Sequence, residues 1–209
     1  MDAPELKRKV LDLLHQQPFR DPRTIFVTDA VAPCLRKVYY SRVFGMMKNL
    51  SMIRGLRVHE ELLAKLAHEL DCSYEEPVEK TVDGIKILGR IDVLCDDSVI
   101  ELKTSRYPDL REEWILQVNA YMGLTGRETA YVVVLYGEPD LRVYVHKLEY
   151  DPEKFTAFLD RVRTLSESLR TDNPPPAQRS KLCNYCEFKP LCKNEKELLR
   201  FLGERLENR

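Results

Sequence analysis

An α/β (α+β) domain, with a central mixed β-sheet flanked by helices, is the fold this sequence predicts. Three observations predict it. The element order is helices, a run of three strands, a helix, two strands and a helix, which suits a sheet covered by helices. The stretches 74–82, 85–94 and 99–104 read as strands, the last two with apolar and polar residues alternating through Ile91-Asp92-Val93 and Ile100-Glu101-Leu102-Lys103. Between and around them lie segments with helical periodicity and recognisable capping residues.

The elements follow in order. Residues 3–17 carry an apolar stripe of Leu6, Val10, Leu13 and Leu14 and predict a first helix. PFRDPRT reads as a loop. TDAVAPCLRKVYYSRVF starts from a cap at Thr28 or Asp29 and predicts helix near Leu35–Tyr40. Over 51–70, Leu56, His59, Leu63, Leu66 and Leu70 recur at helical spacing. Asp83-Gly84 is a hairpin turn between the first two strands. Residues 112–124 predict a short helix, and AYVVVLYG and LRVYVHKL predict strands joined through GEPD. Asp151-Pro152-Glu153 combines a cap, a proline at the first helical position and an early acid, and starts a helix that runs to about Arg170. TDNPPPAQ breaks the chain as a semi-rigid linker. The tail, 180–209, holds three cysteines and then a charged helix, NEKELLRFLGERLEN.

The chain of 209 residues is long enough for one full core with an appendage. Its 44% hydrophobic content is that of a globular protein, and no run of about 18 apolar residues exists to span a membrane. The amphipathic N-terminus lacks a secretory apolar region, so a cytoplasmic protein with no membrane partner is expected. With 33 basic and 34 acidic residues the net charge is −1, which gives no global attraction to nucleic acid. A nucleic-acid partner therefore needs a local groove. Of the six cysteines, Cys72 and Cys95 have no cysteine nearby in sequence, and Cys95 reads as a small filler beside a turn.

The segment GRIDVLCDDSVIELKTS, residues 89–105, predicts a hairpin that sets acid against acid. Ile91 and Val93 share one face of its first strand and Asp92 takes the other. Ile100 and Leu102 share a face of the second, opposite to Glu101 and Lys103. A turn centred between Asp96 and Asp97 makes facing residue numbers sum to 193, so Asp92 faces Glu101 and Arg90 faces Lys103. Like charges directly opposite are unfavourable. A divalent cation resolves the conflict, because paired carboxylates are hard oxygen ligands for Mg²⁺ or Mn²⁺. Lys103, on the same face, would orient an attacking water or steady developing negative charge, which suits phosphodiester hydrolysis. The alternative reading is an ordinary solvated strand face. His59 is either a core residue or a third metal ligand. Gln117 and Tyr121, four apart on one helix face, either pack or reach toward substrate.

These motifs, in this order, resemble the RecB-like branch of the PD-(D/E)xK nucleases: GRID with Asp92, IELKTS with Glu101 and Lys103, QVNAY with Gln117 and Tyr121, and an upstream His59. CLRKVYY, with Cys34, Arg36 and Tyr40, is similar to the N-terminal motif of iron–sulfur members. Size and motif order resemble the CRISPR-associated iron–sulfur exonuclease family over about residues 30–195. The resemblance implies a restriction-endonuclease-like core over 51–170. An N-terminal helical segment, 1–50, carries the first cluster cysteine, and a linker and cysteine-rich segment, 171–209, completes one compact domain. It implies a metal held by His59, Asp92, Glu101 and the Leu102 carbonyl, with Lys103 as catalytic lysine and Gln117 and Tyr121 beside it. The implied activity is 5′ to 3′ exonuclease cleavage of single-stranded DNA during CRISPR spacer acquisition, with integrase proteins as partners and homo-oligomerisation left open. Arg36, Tyr40 and Tyr121 are candidates for holding the strand by stacking and charge. A repair or recombination nuclease, a non-catalytic DNA-binding assembly subunit and a zinc-stapled structural module are the rival readings.

CNYCEFKPLC supplies Cys183, Cys186 and Cys192 in a C-x₂-C-x₅-C spacing, one thiolate short of a four-cysteine site, and Cys34 is the natural fourth. Spacing alone does not separate zinc from iron–sulfur. The family resemblance favours an iron–sulfur cluster, [4Fe–4S] ahead of [2Fe–2S], joining the N- and C-terminal segments.

Overall fold

The structure, a computed structural model, describes residues 2–47, 62–137 and 140–193. His59, Leu56 and the charged helix expected after Lys193 lie outside the described residues. In chain order the elements are α1 (Ala3–Leu14), β1 (His15–Gln16), β2 (Thr24–Phe26), α2 (Val27–Val31), α3 (Leu35–Phe44) and β3 (Met46–Met47). Helical residues 62–69 (α4) follow. Then come β4 (Ser73–Val82), β5 (Ile85–Leu94), β6 (Ser98–Ser105), α5 (Glu112–Thr125), β7 (Thr129–Tyr136), β8 (Arg142–Glu149) and α6 (Pro152–Thr171). A 3₁₀ turn (Lys181–Tyr185) and α7 (Lys189–Lys193) end the described chain.

Local chemistry sets the boundaries. The Asp2 side chain caps α1 by accepting from the Glu5 N–H at 2.8 Å. Asp83 and Gly84 both take positive φ, 53° and 75°, as a tight two-residue hairpin turn requires. Gly126 closes α5 in the left-handed conformation, and Asp151 caps α6 through the Glu153 and Lys154 amides. The cap expected at Thr28 or Asp29 is not used. Phe26 precedes α2 without a side-chain cap, and the Asp29 carboxylate turns instead to the buried Arg42 at 2.6 Å.

The sheet is mixed and ordered β2-β5-β6-β7-β8, with β4 on the other side of β5. β2 and β5 run parallel, as do β6 and β7; β4–β5, β5–β6 and β7–β8 are antiparallel. β2, a three-residue strand at the end of the expected loop, pairs with β5 from Lys86 to Leu88. On that same edge β6 joins only at Val93 and Leu94. The intervening stretch of β5 belongs to neither ladder, and a cavity opens there.

Two cores sandwich the sheet. The larger packs Ile25, Ile87, Val99, Val132 and Val134 against α2, α3, α5 and α6. The smaller sets Val93, Ile100 and Leu102 against Leu63 and Ala67 of α4. Ile91 joins the larger core and Val93 the smaller one, so they do not share a core as strict alternation expects. Opposite Asp92 on β4, Glu75 has a positive φ of 51° and interrupts the pairing there, which is the local twist that separates them.

Cys72 and Cys95 form a disulfide, which corrects their reading as isolated residues. The reason is the register. Facing residues of the β4–β5 hairpin sum to 167, Ser73 with Leu94 among them, and Cys72 and Cys95 are the next positions outward.

Candidate active site

The hairpin register matches the sequence expectation where the ladder exists: Val93 faces Ile100 and Leu94 faces Val99. It stops one pair short of the acids. Where the Asp92–Glu101 rung would come, Asp92 Oδ2 accepts from the Leu102 N–H at 2.8 Å. The strands splay, and both carboxylates line one open cavity of about 530 Å³ with Lys103, Gln117 and Tyr121. Arg90 does not face Lys103; it pairs with Glu75 at 3.4 Å.

Glu101 is 3% exposed. Its Oε1 accepts from Lys103 Nζ at 2.7 Å and from Gln117 Nε2 at 2.8 Å. Its Oε2 is buried and has no hydrogen-bond partner among the described residues. Burial pushes the carboxyl up to about 7; the Lys103 ammonium and the Gln117 amide oppose that rise, and the Asp92 charge adds to it. Lys103 also donates to Gln117 Oε1 at 2.8 Å, so lysine, glutamate and glutamine form a closed triangle. Tyr121, 1% exposed, donates its hydroxyl to the Arg90 carbonyl at 2.9 Å, satisfying a backbone group in the gap between β2 and β6. Burial raises the Tyr121 phenol far above its usual value, so it stays a neutral donor. Gly89 makes room for this ring: a Cβ there would meet Tyr121 Cε1 at 2.7 Å and Val27 and Val78 at 3.0 Å.

A divalent cation suits this arrangement. A buried carboxylate oxygen without a partner, a second carboxylate on the same cavity wall and an elevated proton affinity are what a hard cation relieves. Among the described residues no group of three or more His, Cys, Asp or Glu side chains gathers round one point. Asp92 and Glu101 are the two carboxylates that these residues could offer a cation.

The other candidates go elsewhere. Arg36 donates to the Pro175 carbonyl at 2.6 Å. Tyr40 is 1% exposed, its ring against Phe188 at 5.7 Å and Tyr39 at 5.6 Å, with no face open to a base. Both hold the tail. Lys37 meets Glu187 at 3.2 Å, and Gln178 accepts from the Leu35 N–H at 3.2 Å. The tail thus docks on α3, the helix that Cys34 begins. Cys34, Cys183, Cys186 and Cys192 are free thiols, and Arg161 reaches Cys34 electrostatically. The four are not gathered into a ligand shell, and packing and hydrogen bonds join the N- and C-terminal segments. Sequence reasoning missed Arg42, which bonds Phe19, Asp21, Thr24 and Asp29, and Arg161, which ties α6 to the Ala30 and Ala32 carbonyls; neither contact leaves a periodic signal.

Two acids and a lysine on adjoining strands of a mixed sheet, braced by a helix glutamine, have the chemistry of phosphodiester hydrolysis. The family model of the PD-(D/E)XK nuclease superfamily matches residues 4–193, and the chain belongs to that superfamily. Solved structures share the fold. The crystal structure of SSO0001 is 26% identical over 91% of this chain and 95% of that one, with a TM-score of 0.64. LHK-Exo in complex with dAMP is 16% identical over 74% of this chain and 91% of its own, with a TM-score of 0.54. The alkaline exonuclease LHK-Exo from Laribacter hongkongensis is 14% identical over 73% and 91%, with a TM-score of 0.55. No curated protein matched the sequence. No helix among the described residues is long and apolar enough to cross a membrane.

Proposed function

We propose that this protein is a Mg²⁺- or Mn²⁺-dependent exonuclease that hydrolyses single-stranded DNA from its 5′ end. The observation that carries the reading is Glu101: a buried carboxylate with one oxygen unpartnered among the described residues, beside Asp92 and bonded to Lys103, in an open cavity. Asp92 and Glu101 would hold the metal, with His59 and the Leu102 carbonyl completing the set that the family resemblance implies. A bound dication supplies positive charge to the scissile phosphate and lowers the pKa of water. Lys103 carries the only cationic head in the triangle with Glu101 and Gln117, and is placed to orient water and stabilise negative charge on the phosphoryl oxygens. Gln117 fixes the lysine, and Tyr121 keeps the strand edge open by satisfying Arg90. Exonuclease action draws support from structures of the same fold named as exonucleases, one of them holding dAMP.

Size and motif order support trimming of spacer precursors in CRISPR acquisition, with integrase proteins as partners. For the iron–sulfur cluster we propose Cys34, Cys183, Cys186 and Cys192, supported by the docking of the tail on the helix that Cys34 begins.

The test is digestion of single-stranded DNA labelled at either end, with Mn²⁺ or Mg²⁺, wild type against Lys103→Ala. Wild type should release a 5′ label first as short products. The variant should still bind but cut roughly 10²–10³-fold more slowly. A wild type that cuts with neither metal, or a variant that cuts equally well, ends the reading.

A further inference from the structure

We propose that Phe26 is the platform on which an unpaired base stacks beside the acid pair; the inference rests on the nuclease reading above. Among the described residues two aromatic side chains line the cavity, Phe26 and Tyr121. Tyr121 is 1% exposed and its hydroxyl is committed to Arg90, whereas Phe26 is 37% exposed. Phe26 ends β2 in register with Leu88. Leu88, Gly89, Arg90 and Asp92 all line the cavity, from that last rung into the stretch of β5 left between β2 and β6. A strand rises about 3.3 Å per residue, so Phe26 stands roughly 13 Å along β5 from Asp92. That separation suits a neighbouring base rather than the scissile phosphate itself. Arg90, between them and largely exposed, stands at the intervening backbone.

The ring is held before any ligand arrives. Phe19 packs on it with centroids 5.9 Å apart, and the Arg42 guanidinium lies 5.5 Å from its centre. Arg42 is itself buried and fixed by the carbonyls of Phe19, Asp21 and Thr24. A rigid aromatic surface costs little entropy on binding, and every base has a π-face, so such a platform favours single strands without reading sequence. A paired base would have to leave its duplex stack to reach it.

The experiment is a double-mutant cycle between protein and DNA. An abasic residue is walked through the first four nucleotides of a single strand, and kcat/KM is measured with Mn²⁺ for wild type, Phe26→Leu and Phe26→Tyr. At one position the missing base should slow wild type about tenfold, Phe26→Tyr should keep that penalty, and Phe26→Leu should lose it. Leucine retains apolar packing, so loss of the fold does not imitate the result. A 2-aminopurine at each of the four positions reads the same contact by fluorescence quenching, in Ca²⁺ without turnover. Quenching at one position in wild type that vanishes in Phe26→Leu supports the platform even if the nuclease reading has failed. An abasic penalty equal in both proteins, or quenching unchanged by Phe26→Leu or absent from wild type, overturns it.

Discussion

Glu101 places a carboxylate where water does not reach, and its consequences belong to the single residue. Its proton affinity is raised from 4.5 to about 7. A group whose folded value lies above its unfolded one stabilises the fold at pH below the unfolded value and loses that contribution as pH rises through the folded value. The metal-free protein should therefore lose roughly 3 kcal/mol of stability from this residue between pH 4.5 and 8. Glu101→Gln has no such titration, so the wild-type minus variant difference, from urea unfolding in EDTA, should fall by that amount over the same range. Mg²⁺ or Mn²⁺ should oppose the fall, because cation and proton compete for one oxygen. A flat difference would mean that the charge is already balanced. At the same scale, Gly89 is explained by the Tyr121 ring that would collide with any side chain there.

At the scale of elements, Arg42 on α3 organises the approach to β2. It pairs with Asp29, whose carboxyl burial holds above its usual range, and bonds three backbone carbonyls. Removing the guanidinium leaves a buried carboxylate and three acceptors unanswered. Arg42→Ala should cost about 3–5 kcal/mol, seen as a lower urea midpoint with an unchanged slope. None of this is legible in a linear reading, since Arg42 sits in an otherwise ordinary helical run. The long elements were legible for good reason. β5 sets Ile85, Ile87 and Ile91 at even spacing, and it shares with β4 a turn that only Asp-Gly-type chemistry makes easily. β2 has three residues, too few to show a period, and its parallel pairing with β5 leaves no local signature. The acids, the lysine and Gln117 emerged from strand and helix periodicity. Tyr40 and Arg36 misled because their motif adjoins the tail in space, and the tail uses them.

Across the whole molecule, distant parts of the chain are tied together. The Cys72–Cys95 disulfide joins the outer end of the β4–β5 hairpin, and the Cys72 N–H bonds back to the Ala67 carbonyl at the end of α4. Reduction, or Cys95→Ala, should lower stability by roughly 3 kcal/mol through the unfolded chain's regained freedom, measured by denaturant titration with and without reductant. That pair is within reach of the sequence: the Asp83-Gly84 turn that fixes the hairpin also sets 72 opposite 95, a proximity that spacing along the chain does not show. The opening beside the acid pair follows from a similar rule of lengths. β2 and β6 take opposite ends of a single edge of β5, and each halts before meeting the other. The cleft is thus an unfinished seam in the sheet, not a hollow dug into its surface. Four further residues on β2 would carry it along β5 to Asp92 and zip the seam shut, leaving a well-folded scaffold with nowhere to admit a strand.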